Sequence, residues 1–293
     1  MISTPLSWWS FLCSVSLLNV VIWTASAAFL RKRHQTANQS PSQATSNALW
    51  PAHWSVLHWQ MLLSAGYVLG CAYRSAFPVY DVQRVVMVDS WLSSVFVGRS
   101  VATIAELCFA AQWALLLRSI AQTCNDKAAL RVSGLILPLI AIAEVFSWYS
   151  VLTTANIGHV VEESLWGISA ALLVGSCFHL LPRCERAIRP LLAFVCIAGV
   201  AYVVYMFKVD VPMYWARWVH DEGRGLSYLS IAQGVADTSS RWIVSHSWKD
   251  WESEVVWMSL YFSVAVWLSI GLMHAALPLA TQRNDPTMRT HTF

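Results

Sequence analysis

Residues 95–117, VFVGRSVATIAELCFAAQWALLL, are long and apolar enough to cross a bilayer, yet they carry Arg99, Glu106 and Gln112. A charge inside hydrocarbon is costly, so such residues face a bundle interior and mark function more often than they mark the lipid face. The composition around this stretch agrees with a membrane chain: of 293 residues, 57% are hydrophobic and only 12% charged, where a soluble domain has about a quarter. Mean hydropathy is +0.50. Seventeen tryptophans and nine tyrosines suit many helix ends at headgroup level.

Working outward, the apolar runs at 6–30, 54–73, 95–117, 132–155, 164–181, 190–207 and 255–277 each approach the ~17–25 residues that a hydrocarbon layer of ~30 Å requires. The expected fold is therefore an all-α polytopic membrane protein of about seven transmembrane helices, forming a single integral membrane domain. Arg31, Lys32 and Arg33 follow the first run instead of preceding it, which reads as a retained anchor, although Ala25-Ser26-Ala27 resembles a cleavage site. Residues 31–53, rich in Ser, Gln and Asn, read as a flexible cytoplasmic linker. With the N-terminus outside, the inner loops collect eleven basic against three acidic residues; the positive bias thus predicts an N-out, C-in topology. The bilayer is the expected surrounding, either a bacterial inner membrane or a eukaryotic endomembrane.

Two outer segments stand apart. In 74–91, Arg74, Asp81, Arg84 and Asp89 precede the third span, and a short interfacial helix is expected after Pro78. Residues 208–254 carry five tryptophans and read as a Trp-rich outer loop folded on the membrane surface as a cap, with docking of a protein partner as one use. No basic cluster interleaved with aromatics points to nucleic acid. The seven cysteines show no C-x-x-C spacing, so neither zinc nor a redox dithiol is signalled.

Four constellations bear chemistry. Glu106 lies twelve residues before Arg118 and Glu144 thirteen after Arg131, so at ~1.5 Å per residue both reach nearly the same depth. Two such carboxylates share a proton, take a cation, or draw on Arg99, which sits two turns from Glu106 on the same face with Thr103 between. His159, Glu162 and Glu163 share a helical face and offer ligands for a divalent metal ion, while the same acids before Ser164 also suit a helix start. The run His220 to Gly225, HDEGRG, with His246, Glu252 and Glu254, suits an anionic or metal-bound ligand or simply a solvated turn. His58, His179 and His274, at inner ends of three spans, are the residues that a haem would need, and interfacial histidines that reach water are commoner. No Walker A, GxSxG, HExxH or GxGxxG motif is present.

The chemistry expected from these patterns is that of a membrane-embedded enzyme acting on a lipid or other apolar small molecule, with a divalent metal as candidate cofactor. Glu106 or Glu144 would carry the proton, His159 would act as base or ligand, and Arg99 would hold an anion. A proton- or cation-coupled transporter needs the same buried carboxylates, and a non-catalytic complex subunit is the third possibility.

Overall fold

The computed structural model describes residues 5–38, 56–184, 186 and 188–282. Its helices are α1 (Pro5–Asn38), α2 (Val56–Ala76), α3 (Val95–Thr123), α4 (Lys127–Thr153), α5 (Ile157–Leu180), α6 (Arg189–Tyr205), α7 (Val211–Gly223), α8 (Ile231–Ser240), α9 (Trp248–Trp251), α10 (Val255–Leu260) and α11 (Val266–Gln282). Among the described residues, six helical stretches are long and apolar enough to cross a membrane: 5–33, 95–123, 127–153, 157–180, 189–223 and 255–276. The chain thus has the build of an all-α, multi-pass membrane protein. Large apolar side chains that face outward, such as Leu17 at 68%, Val145 at 67% and Ile197 at 75% exposure, form the belt that a soluble protein would not display.

α2 is 21 residues long but is diluted by His58, Gln60, Tyr67 and Tyr73, and it falls outside those six. It packs against α1, α3 and α11. Small residues bring it close to α3: a Cβ on Gly66 would lie 2.7 Å from Cys108 Sγ, and one on Gly70 2.7 Å from the Ala105 Cβ. Close backbone approach through small residues is how helices associate where lipid removes the hydrophobic drive.

Several expected boundaries move. The linker begins later, because α1 continues through Asn38, and 39–55 lie outside the described residues. The sixth span does not stop at 207; a π-helical turn, Met206–Asp210, carries α6 directly into α7. In that wide turn the Val211 N–H bonds to Met206 O, one residue further back than in an α-helix, which makes room for Pro212 and its missing donor. A second π turn, Tyr261–Ala265, joins α10 to α11. The fifth span starts at Ile157, not 164, because Thr154 takes a left-handed conformation (φ 64°) that ends α4 and turns the chain at once.

The segment after Pro78 is not helical. Its β1 (Val79–Tyr80) and β2 (Val85–Val86) form an antiparallel hairpin, and β3 (Ile243–Val244) joins β2 in parallel. The expected helix fails because Val79, Val85 and Val86 are β-branched and buried, Val79 and Val86 in a cluster with Trp242. This small sheet, with α8 and α9, makes a cap on one end of the bundle. Arg84 pins it: the fully buried guanidinium donates to Asp237 Oδ2 (2.8 Å), Asp81 O (2.5 Å) and Val151 O (2.8 Å). Trp251, also fully buried, meets Trp8 at 5.8 Å and so ties the cap to the start of α1. The opposite end closes on a second apolar cluster that includes Leu117, Ile120, Leu180 and Leu192.

Candidate active site

Three helices deliver the ionisable groups to one level just beneath the cap. α3 begins at Ser94, whose side chain accepts from Val97 N, and it presents Arg99, Thr103 and Glu106 two turns apart on one face. α4 brings Glu144 and Trp148 up beside them, and α5 brings His159, Glu162 and Glu163 down from its first turns. Because α5 starts at Ile157, Glu162 and Glu163 lie within the helix and do not cap it; the N-cap residue Asn156 makes no side-chain cap bond.

The three carboxylates converge on one nitrogen. Arg99 Nη2 donates to Glu144 Oε2 (2.7 Å), Glu106 Oε2 (2.9 Å) and Glu162 Oε1 (3.3 Å), and Nη1 is 4.0 Å from Asp81 Oδ2. Thr103 Oγ1 donates to Glu144 Oε2 (2.6 Å) and accepts from Trp148 Nε1 (3.1 Å). Tyr261, set by its π turn, donates its hydroxyl to Glu106 Oε1 (3.0 Å). Glu162 Oε2 meets His159 Nδ1 at 2.6 Å. The other ring nitrogen, Nε2, has no protein partner among the described residues. The Tyr214 ring lies 4.8 Å from the imidazole. Ser150 holds the base of this assembly, since its hydroxyl accepts from His159 N (2.7 Å) and donates to Ala155 O (2.6 Å).

The cluster is not electrically or sterically closed. Glu144 Oε1 and Arg99 Nε are buried with no hydrogen-bond partner among the described residues, and three carboxylates surround one guanidinium. Buried charge left unbalanced is expensive, so the arrangement calls for a proton, an ion or a charged ligand. Oxygens of Glu106, Glu144 and Glu162 lie within 4.8 Å of one another, a spacing that one metal ion could span. Glu163 and His159 are not in that set; both line the adjoining chamber.

That chamber, about 620 Å³, is walled mainly by apolar and aromatic residues of α3, α4, α5, α6, α10 and α11, with the acidic cluster at one end. Its far arm runs between Ile136, Leu173, Phe194 and Leu268. Its flank between α6 and α10 or α11 is thinly packed compared with that between α6 and α5, and is bridged by Tyr205 on Trp257 (6.5 Å). Phe194 and Leu260, 53% and 52% exposed on the belt, are also chamber wall. Toward the cap, Asn156 and Arg217 also line a neighbouring hollow of about 400 Å³ with His220, Asp221 and Tyr228. Glu254, on the chamber rim, has its carboxyl pushed up by burial, with the Arg217 charge opposing.

Of the remaining expectations, HDEGRG ends α7 and turns at Gly225 (φ 64°); Asp221 accepts from Asn156 (2.8 Å) and Glu222 from Tyr228 (2.9 Å). His246 Nε2 bonds to Met87 O, and so belongs to the cap. The histidines considered for haem have separate surroundings: His179 meets Asp126 (2.9 Å), whereas the His274 ring packs 6.5 Å from Phe29. Tyr261 escaped the sequence reading, since one tyrosine in an aromatic-rich span carries no signal of its partner. Gln112, flagged there without a role, sits below the chamber. It donates to Gln60 Oε1 (3.0 Å) and accepts from Ser269 Oγ (2.6 Å), which ties α2, α3 and α11 together.

Compared with known protein families, with curated proteins and with solved structures, the chain gave no match.

Proposed function

We propose that this protein is a membrane-embedded enzyme that acts on a lipid or other apolar substrate. The observation that carries the reading is the chamber: apolar along its arm, thinly packed on its flank within the belt, and ending on buried acid–base groups. An amphiphile from the bilayer would lay its tail in the arm and bring its head to the cluster, while water reaches it through the polar hollow at the cap. His159, oriented by Glu162 through Nδ1, is the base, with Nε2 facing the chamber. Glu106 and Glu144 carry the proton, and Arg99 steadies negative charge that develops on the substrate.

The transporter reading needs the same carboxylates and also a route to the opposite end. There, the Gln112 clasp and the apolar cluster beyond it fill the bundle, which favours chemistry over passage. The test is lipid mass spectrometry on purified protein in nanodiscs of total cell lipid, wild type beside His159→Gln. Wild type should consume a lipid species at least a hundredfold faster, a loss typical of a missing general base. An unchanged lipid profile in wild type would overturn the reading.

A metal-dependent version is favoured by the 4.8 Å cluster of Glu106, Glu144 and Glu162 oxygens. Glu106, Glu144 and Glu162 would hold the ion, which would supply Lewis-acid activation of water or substrate, while His159 and Glu163 lie outside that set on the chamber. Stoichiometric metal in wild type that is lost in Glu144→Gln would support it; metal-free protein with full turnover would exclude it.

The proposal places seven spans in the membrane. α2 belongs among them because spans flank it on three sides, so it shares their depth despite its polar residues. N-out, C-in orientation follows from the basic inner loops, and a reporter fused after Phe293 should be cytoplasmic.

A further inference from the structure

The chamber combines a surplus of acidic groups with an aromatic wall. Six carboxylates face or floor it, those of Asp81, Glu106, Glu144, Glu162, Glu163 and Glu254, against three guanidiniums, Arg74, Arg99 and Arg217. Arg74 is taken by Asp81 at 3.3 Å. Arg217 lies over the Tyr214 ring, 5.2 Å from its centre. Acidic groups thus outnumber guanidiniums around a space that is otherwise apolar. Several polar atoms there have no partner among the described residues, including Glu144 Oε1 beside the chamber and Ser169 Oγ in its wall, both on side chains more than nine-tenths buried.

Aromatic rings border the same space. Trp257 stacks with Tyr205 across the thinly packed flank (6.5 Å) and meets Tyr261 at 5.8 Å, while Tyr261 bonds to Glu106. Tyr202 and Trp166 complete that wall. Ring faces attract cations, most strongly where water is excluded, and nearby carboxylates add to the attraction. A strongly hydrated metal ion gains nothing from an apolar arm, whereas an alkylated ammonium gains from rings, carboxylates and arm alike.

We propose that the ligand of this chamber is an amphiphile with a cationic head, an amine or quaternary ammonium on a hydrocarbon tail, seated where the aromatic wall meets the unbalanced carboxylates. The inference deepens the enzyme reading and rests on it only in taking the chamber as the substrate site.

Titration of dodecyltrimethylammonium, dodecyl sulfate and dodecanol into protein in maltoside micelles at constant ionic strength, followed by tryptophan fluorescence, tests it. The cation should half-saturate at a mole fraction at least tenfold below that of dodecanol, and the sulfate should bind no better than dodecanol. Glu163→Gln, and independently Trp257→Leu, should each shrink that preference severalfold and leave dodecanol binding nearly unchanged. Equal binding of the three probes, or a preference that survives both substitutions intact, overturns the proposal. Turnover of an uncharged lipid without a cation preference would remove this inference and keep the enzyme. Cation binding with no lipid consumed would do the reverse.

Discussion

Among the described residues two arginines are buried, and their surroundings differ in a way that separates scaffold from site. Arg84, held at a left-handed φ of 59°, has all three donor nitrogens engaged, by two main-chain carbonyls and by Asp237. Its carboxylate partner has a second cation in Arg241. Arg99 crowds three carboxylates onto one nitrogen, while its Nε has no partner among the described residues. A saturated buried charge rigidifies what it touches; an unsaturated one stores an unmet demand. The cap is built in the first way and the chamber in the second.

Removing one member from each arrangement is the sharpest way to break that contrast. Arg84→Met leaves Asp237 and two carbonyls without their buried donor and should cost about 3–5 kcal/mol, read as a large fall in thermal stability in detergent. Glu106→Gln, which removes one acidic group from an over-acidic cluster, should leave the midpoint unchanged or raise it. A fall as large as that of Arg84→Met would erase the distinction.

Gly158→Ala comes next, because its Cβ would stand 2.4 Å from Phe146 O and 2.6 Å from Ser150 Oγ. Overpacking of this kind costs about 1–3 kcal/mol, and the displaced start of α5 should carry His159 away from its position and slow turnover. Gly134→Ala, which meets nothing within 4 Å, is the control. Gln112→Leu strips Gln60 and Ser269 of a partner and should cost about 1 kcal/mol, typical of hydrogen bonds between membrane helices; thermal melts of the single variant and of Gln112→Leu with Ser269→Ala would measure it.

The smallest effect concerns acid. Burial pushes the Asp237 carboxyl up, but the bonds from Arg241 and Arg84 outweigh it and hold it below the usual range. A carboxyl depressed in the folded state contributes stability that is present above its unfolded value of about 3.9 and is lost as pH falls through the folded value. The cap should therefore loosen before the bundle below about pH 4, seen as faster opening of amides in 231–244 than in α3, and Asp237→Asn should loosen the cap already at neutral pH and remove this acid dependence.

The membrane helices and the depth of the acidic cluster were legible because both depend on regular repetition. Counting from Arg118 and Arg131 is enough to level Glu106 with Glu144, and seven residues put Arg99 on the face of Glu106. Elements that depend on a single local exception were not legible. Two-residue strands have no periodicity to detect. The early start of α5 follows from one left-handed threonine, and the extension of the sixth span to Gly223 crosses charged residues that read as loop. The convergence of Glu162 on Arg99 required a packing arrangement that no spacing within one helix contains.

The two π turns, Met206–Asp210 and Tyr261–Ala265, can be viewed as phase shifts in otherwise regular counters. An α-helix turns about 100° per residue, so one additional residue in a wide turn rotates everything beyond it by that angle against everything before it. Tyr261 can therefore face Glu106 while Ser269, further along the same rod, still faces Gln112. Deleting one residue from either turn would restore an unbroken helix and put its two halves out of register, turning one set of contacts toward lipid. The chamber's two flanking rods are thus each tuned by one surplus residue.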